Sequence, residues 1–383
     1  MIVAVAREIL KGENRVALSP EGVEKLRKHG FEIHVQAGAG QASGLLDEDY
    51  VSQGAKIVAD AGALYESADI LLRVQPPGEH PDTGKHELDM LRSGALWIGF
   101  FYPLHNAALV KRAQERGVDV LAMDAVPRIT RAQRMDALSS QTNLAGYKAA
   151  VIAAEALGKI FPLMMTAAGT IPPAKVVVMG AGVAGLQAIA TARRLGAQVE
   201  VSDVRAEAKE QVESLGARFI EVESDEDLSG EGGYAKEASE EYLRKQQEVL
   251  HKKISEADAV ITTALVPGKK APLLVTEDMV KSMRPGSVIV DMAASQGGNC
   301  ALTVPDEKVV REGVIIIGYT NLPALAATNA SELYSRNLVS LLEYFTKEGK
   351  LEFDREDEIA QGALITKGGE VIHAATKSLL EQN

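Results

Sequence analysis

The segment RITRAQRMDALSSQ, residues 128 to 141, gathers Arg128, Arg131, Gln133, Arg134, Asp136, Ser139, Ser140 and Gln141. It holds no His, Cys, Lys or Glu, so it offers neither an ordinary proton-transfer group nor a strong nucleophile. What it does therefore depends on what the chain binds. A second segment, VVVMGAGVAGLQ, answers that: Gly180, Gly182 and Gly185 stand in the spacing GxGxxG between a strand-like run and a helix-like one. Alone that spacing is weak. The flanking pattern, with Asp203 at the end of the next strand-like run, makes it the fingerprint of a dinucleotide site.

Gly180 permits the tight turn, Gly182 lets backbone approach a pyrophosphate, and Gly185 allows helix and strand to pack closely. The helix that follows presents unpaired N–H groups and the positive end of its dipole to that anion. Asp203 is expected to accept hydrogen bonds from the adenosine ribose hydroxyls and to repel a 2′-phosphate, which favours NAD over NADP. Arg205 tempers that preference, because an arginine suits a 2′-phosphate. In open α/β sheets, ligands bind outside the carboxyl ends of the strands, where the strand order reverses. Two more segments, TTALVPG (262–268) and DMAASQGGNC (291–300), sit at such ends, and Ala264 and Leu265 are candidates for the nicotinamide side. Either segment also reads as plain strand-to-helix loop. The glycine-rich GEGGYAKEAS (230–239) reads as a flap anchored by Tyr234, or as a solvated surface loop.

These groups need a frame, and the chain supplies one twice. From the start, β-rich runs (IVAVA, EIHVQAG, ADILLRVQ, ALWIGFF, VDVLAM) alternate with amphipathic stretches, the sign of a parallel sheet wrapped by helices. Ser19 reads as an N-cap with Pro20 in the first turn, and Gly30 and Gly117 as C-terminal stops. A second βα series begins at Lys175 after the break AAGTIPPA, and a long helix between about Leu138 and Lys159 joins the halves. The expected fold is α/β, two Rossmann-like doubly wound parallel-sheet domains joined by that helix. The expected domains are 1–137 with 327–383, the tail returning to the first sheet, and 138–326.

The bulk numbers bound the function. The chain has 383 residues, enough for two domains, and a make-up, 46% hydrophobic and 25% charged, typical of soluble globular proteins. Its net charge of −12 argues against nucleic acid or an anionic membrane surface as the main partner. The longest apolar run, ALWIGFFYPL at 95–104, is about half of the ~20 residues that span a bilayer. The N-terminus lacks a basic n-region and reads as a first strand, not a signal peptide, which points to the cytoplasm. Cys300 is the only cysteine, so no internal disulfide forms, and no His or Cys pattern suggests a metal.

The stretches PRITRAQRMDALSSQTNLAGYKA, MMTAAGTIPPAKVVVMGAGVAGLQAIATARRLGA, SDVR, GGYAKE, TTALVPGKKAP and GGNC resemble domain I, the NAD(H)-binding component, of proton-translocating nicotinamide nucleotide transhydrogenase, over essentially the whole chain. Alanine dehydrogenase is similar over the same length. That enzyme needs a substrate carboxylate clamp and acid/base groups, since it makes and breaks an imine as well as moving hydride. Arg15 matches its clamp arginine, but its lysine is replaced by Gln75, its histidine by Tyr102 with His105 three residues on, and its aspartate by Ser295. Arg15 is then expected in a structural ion pair.

Transhydrogenation asks for less. The resemblance implies direct hydride transfer between NADH and NADP⁺, so the protein contributes positioning and electrostatics. It implies that Arg128, Gln133, Asp136 and Ser139 are catalytic, with Gln133 bridging the two nicotinamides. It also implies that NAD(H) is bound by Arg128, Ile129, Gln133, Gly180, Gly182, Val183, Gly185, Asp203, Val204, Arg205, Gly233, Tyr234, Ala264 and Leu265. NADP(H) would sit on a partner domain and proton conduction in membrane-spanning subunits. This chain would then work as a homodimer, peripheral on the cytoplasmic face of the membrane through those partners. Two alternatives stay open at this point: an NAD-dependent alanine dehydrogenase, and a non-catalytic NAD sensor or scaffold.

Overall fold

A computed structural model describes residues 1–205, 207–221, 240–266, 269–347 and 349–382. They form two compact units: Met1–Gln141 with Ala324–Asn383, and Thr142–Pro323. The chain passes from one to the other inside the helix Ala137–Ala156.

The first unit is an eight-stranded sheet. Across it run Glu370–Val371, Leu364–Lys367, Asp119–Ala122, Leu96–Gly99, Ile70–Leu72, Ile2–Val5, Glu32–Gln36 and Lys56–Val58. The strands from Asp119–Ala122 onward pair in parallel, and Leu364–Lys367 joins antiparallel beside Asp119–Ala122. The helix starts and stops follow local chemistry. Ser19 accepts the Gly22 N–H at the start of helix Pro20–Lys28, and Gly30 and Gly117 take φ of +85° and +65° after their helices. Two apolar clusters, one on Val3, Val5, Leu18, Leu26, Ile98, Tyr334 and Leu338, the other on Leu71, Trp97, Phe101 and Val120, form its core. The helix Ala327–Phe345 buries Tyr334, Leu338, Leu341, Leu342 and Phe345 in the first of these, so the C-terminal segment completes the unit.

The second unit is a seven-stranded sheet in the order Arg218–Phe219, Gln198–Ser202, Lys175–Met179, Ala259–Thr262, Val288–Asp291, Val314–Ile317 and Lys308–Arg311. All neighbours pair in parallel except the last, an antiparallel edge. The strand order reverses beside Lys175–Met179, which ends at Gly180, so the glycine turn lies at the switch point where such sheets bind ligands. Buried runs of β-branched residues, VVV at 176–178 and VIV at 288–290, fit a sheet covered on both faces. The stretch from 164 to 171, which the sequence presents as a break, instead pairs Met164–Thr166 with Gly169–Ile171 in an antiparallel hairpin. Every residue of that hairpin is exposed, so no buried face leaves a pattern in the sequence. Among the described residues no helix is long and apolar enough to cross a membrane.

Candidate functional site

In the second unit the glycine turn has the geometry its sequence requires. Gly180 takes φ of +104°, which excludes most side chains, and its N–H donates to the Ser202 carbonyl (2.8 Å). A Cβ on Gly185 would lie 1.8 Å from the Gly180 carbonyl oxygen, so only glycine lets the helix Val183–Arg194 pack this close. A Cβ on Gly182 would meet no atom within 4 Å, leaving the backbone there open to approach. Gly182 is the N-cap, and no side chain caps the first turn. An uncapped helix start beside uncovered backbone is what a pyrophosphate requires.

Asp203 ends the next strand, and both of its carboxylate oxygens are engaged. One accepts from the Ala181 N–H (2.7 Å) and the Arg205 guanidinium (2.9 Å), the other from the Arg205 N–H and Nε (2.9 Å each). Burial alone would raise its pKa, but the Arg205 side chain with the Ala181 and Arg205 amides holds it below the ordinary aspartate value. Asp203 thus ties the glycine turn to the second strand, and Arg205 lies on Asp203 itself. The exposed apolar residues Val183, Val204 and Leu265 belong to this same set of strand ends. Gly233 and Tyr234 lie outside the described residues.

Ala264 is held from a distance that the sequence hides. Its N–H donates to Asn299 Oδ1 (3.1 Å), and its carbonyl accepts from Asn299 Nδ2 (2.9 Å). Thr263 turns its hydroxyl toward the Met179 and Gly180 carbonyls (3.3 and 3.2 Å). Sequence reasoning missed Thr263, Asn299 and the buried Asp291 behind them. The available signal was a double glycine, Gly297–Gly298, leading into an amide side chain.

In the first unit the segment 128–139 is anchored on one side only. Ile129 packs against the core, Ala132 and Met135 are buried three residues apart on the short helix Thr130–Met135, and Arg128, Gln133 and Arg134 are exposed. The Arg134 carbonyl accepts from Asn337 Nδ2 (2.8 Å), and Arg131 pairs with Asp357 and Glu358. Asp136 accepts from the Ser139 N–H (2.8 Å) and hydroxyl (2.6 Å), a cap on the helix that follows. Asp136 and Ser139 are therefore brought together. The guanidinium of Arg128 and the amide of Gln133 have no hydrogen-bond or ion-pair partner among the described residues, so both are available to a bound molecule.

Arg15 is committed elsewhere. It is 3% exposed, its Nε and terminal nitrogens reach both Glu13 oxygens (2.8 and 2.6 Å), and a second terminal nitrogen donates to Gln141 Oε1 (2.9 Å). Gln75 Nε2 donates to the same Glu13 (2.7 Å). Tyr102 sits at φ +49°, held by its N–H bond to Asp124 (3.0 Å), and Ser295 is exposed on the short helix Ala294–Gln296. Arg15 thus lies in a buried ion pair, and its neighbours supply no lysine, histidine or aspartate for amino-acid chemistry.

The sequence matches the family of alanine dehydrogenase/PNT N-terminal domains over residues 4–145, and that of alanine dehydrogenase/PNT C-terminal domains over residues 149–374. It is 46% identical over 379 residues to the first of the separately encoded pieces of the NAD(P) transhydrogenase alpha subunit of Rhodospirillum rubrum, 98% of each chain being covered. Its fold superposes on the crystal structure of transhydrogenase from Sinorhizobium meliloti with a TM-score of 0.87 at 45% identity, covering 97% of this chain and 100% of that one. An L-alanine dehydrogenase structure gives a TM-score of 0.81 at 26% identity, over 100% and 99% of the two chains. Matched along both domains and at this degree of identity, the chain belongs to the alanine dehydrogenase/PNT family and, within it, to the NAD(P) transhydrogenase alpha subunits.

Proposed function

We propose that this chain is the NAD(H)-binding subunit of a proton-translocating transhydrogenase, taking part in direct hydride transfer between NADH and an NADP⁺ held on a partner domain. When bound, the two nucleotides supply the chemistry: a hydride leaves C4 of NADH for C4 of NADP⁺, giving NAD⁺ and NADPH with no covalent protein intermediate. The protein's share is positioning. Gly180, Gly182 and Gly185 seat the pyrophosphate, with Val183 and Val204 beside the adenosine half. Asp203 and Arg205 govern the ribose end, Arg205 releasing oxygens of Asp203 to the hydroxyls. Ala264 and Leu265 face the nicotinamide half. Arg128 and Gln133 orient the nicotinamide, Gln133 reaching the second nucleotide, while Ile129 anchors the segment and Asp136 with Ser139 fixes where the helix begins.

The observation that carries this reading is the contrast within the first unit. Arg15, the one group an amino-acid dehydrogenase could use, is neutralised by Glu13, whereas Arg128 and Gln133 are exposed and have no partner among the described residues. Direct hydride transfer needs such donors and no acid or base. The test mixes the purified chain with a soluble NADP(H)-binding partner domain and follows hydride transfer from NADH to an NADP⁺ analogue. Transfer is expected; its absence at every ratio refutes the reading. NADH oxidation by pyruvate and ammonia alone would establish the alanine dehydrogenase alternative instead.

The remaining elements of the proposal concern assembly. The subunit docks on membrane-spanning partners at the cytoplasmic face and pairs with a second copy of itself. The hairpin Met164–Thr166/Gly169–Ile171 supports pairing: isolated two-stranded hairpins are marginal in water, and this one exposes Met164, Met165 and Ile171, with Leu163 just before it. Light scattering that gives the mass of a single chain would refute the dimer.

A further inference from the structure

Asn299 is 0% exposed, and its side-chain amide is spent entirely on backbone. Oδ1 accepts from the Ala264 N–H (3.1 Å), and Nδ2 donates to the carbonyls of Ala264 (2.9 Å) and Pro272 (2.8 Å). Ala264 lies two residues past the end of strand Ala259–Thr262, where the ladder has stopped and its N–H and C=O need new partners. A planar amide offers an acceptor and donors side by side, so it pairs with one residue's backbone as an adjacent strand would.

Asn299 is itself held rigidly. Its N–H donates to Asp291 Oδ2 (2.9 Å), and its carbonyl accepts from the N–H groups of Leu274 (2.8 Å) and Val275 (2.9 Å). Asp291, also 0% exposed, accepts in addition from Thr262, Ala293, Cys300 and Thr303. Gly298, at φ +77°, is what lets the chain turn against this carboxylate, since a Cβ there would stand 2.8 Å from Asp291 Oδ2. One buried frame therefore runs from the end of one strand through Asn299 to Ala264. Thr263 then links it to the Gly180 carbonyl of the glycine turn (3.2 Å). Directly after the pinned residue, Leu265 and Val266 are 43% and 37% exposed, an uncovered apolar step on an otherwise fixed backbone.

We propose that Asn299 is a positioning residue for the nicotinamide end of the nucleotide, acting through Ala264. The proposal rests on the NAD(H)-binding reading and adds the residue that sets where the nicotinamide ring lies. Rigidity is the point, because hydride transfer tolerates misplacement of well under 1 Å.

The test uses the full chain and two ligands, NADH followed by its fluorescence and ADP-ribose, which lacks the nicotinamide, followed by calorimetry. Asn299→Asp keeps the shape but turns a carboxylate oxygen toward the Ala264 and Pro272 carbonyls, which lose their donor. NADH binding is expected to weaken about ten-fold, while ADP-ribose, seated on the glycine turn and Asp203, stays within about two-fold of wild type. Unchanged NADH affinity, or equal weakening of both ligands as a general structural defect would give, overturns the proposal. Wild-type chain that binds neither ligand refutes the underlying functional reading and this inference with it. If Asn299→Asp does not fold, Asn299→Ser, which leaves the backbone bond to Asp291 in place, is judged by the same two titrations.

Discussion

Alanine at Gly182 and alanine at Gly185 should fail in opposite ways, although the two glycines are three residues apart in one motif. At Gly182 the backbone, φ −75° and ψ −168°, is open to any residue, and a Cβ there touches nothing within 4 Å. The N-cap change costs at most about 1 kcal/mol, which shifts melting by no more than about 4 °C. The new methyl stands instead on the uncovered backbone proposed for the pyrophosphate. Losing one charge-assisted hydrogen bond there, worth about 1.5–3 kcal/mol, weakens NADH roughly 10- to 100-fold. At Gly185 the Cβ falls 1.8 Å from the Gly180 oxygen, so the helix must retreat by about 1.2 Å to reach even 3.0 Å. That overpacking costs about 1–3 kcal/mol, and Gly185→Ala should lose thermal stability as well as affinity. The assay is a fluorescence titration with NADH beside a melt monitored by circular dichroism. Gly182→Ala that binds NADH as tightly as wild type would refute the assignment of this turn to the pyrophosphate, whatever happens at Gly185.

Gln133→Asn, which withdraws an exposed amide by one methylene, should leave NADH affinity within about two-fold and lower the hydride-transfer rate by at least about ten-fold; single-turnover kinetics with the partner domain distinguishes the two effects, and an unchanged rate removes Gln133 from the reaction. Arg15→Met leaves the Glu13 carboxylate buried without its main partner and should cost about 3–5 kcal/mol in urea unfolding; a loss confined to activity would instead reassign Arg15 to a ligand. The lowered pKa of Asp203 contributes stability that is present above the ordinary aspartate value and disappears as pH falls through the depressed one. Asp203→Asn should therefore flatten the acid limb of the stability profile measured below about pH 4, and an unchanged limb would show that the Arg205 contact is not maintained in solution.

What the sequence disclosed was local. Caps at Ser19, Gly30 and Gly117 and the turn at Gly180 depend on the conformational needs of one or two residues, and residue type announces those needs. The strand alternation likewise marked two sheets. Pairings between distant residues left no such mark. The antiparallel strand Leu364–Lys367 lies beside Asp119–Ala122 because the C-terminal segment returns to that edge, and nothing in four residues says which edge they will find. The clasp of Asn299 on Ala264 spans 35 residues, and an asparagine after two glycines reads as an ordinary turn until its partner is known.

The same limit explains why Arg15 could mislead. A clamp arginine and a structural arginine are one letter, and the difference lies in what faces the guanidinium. Here Glu13, only two residues away, takes Nε and a terminal nitrogen, Gln141 takes another, and Gln75 donates to the same carboxylate. A lysine at position 75 would bring a second cation to Glu13 and leave charge over for a ligand carboxylate; the neutral amide completes the pair and leaves none. The substitution at position 75 thus bears on chemistry beyond removing one group, because it lets a single glutamate satisfy the arginine. A unit so balanced has no electrostatic use for a keto acid. The polar groups it does present, Arg128 and Gln133, stand on or beside a short helix pinned by Ala132, Met135 and Asn337, where orientation is all that a passing hydride requires.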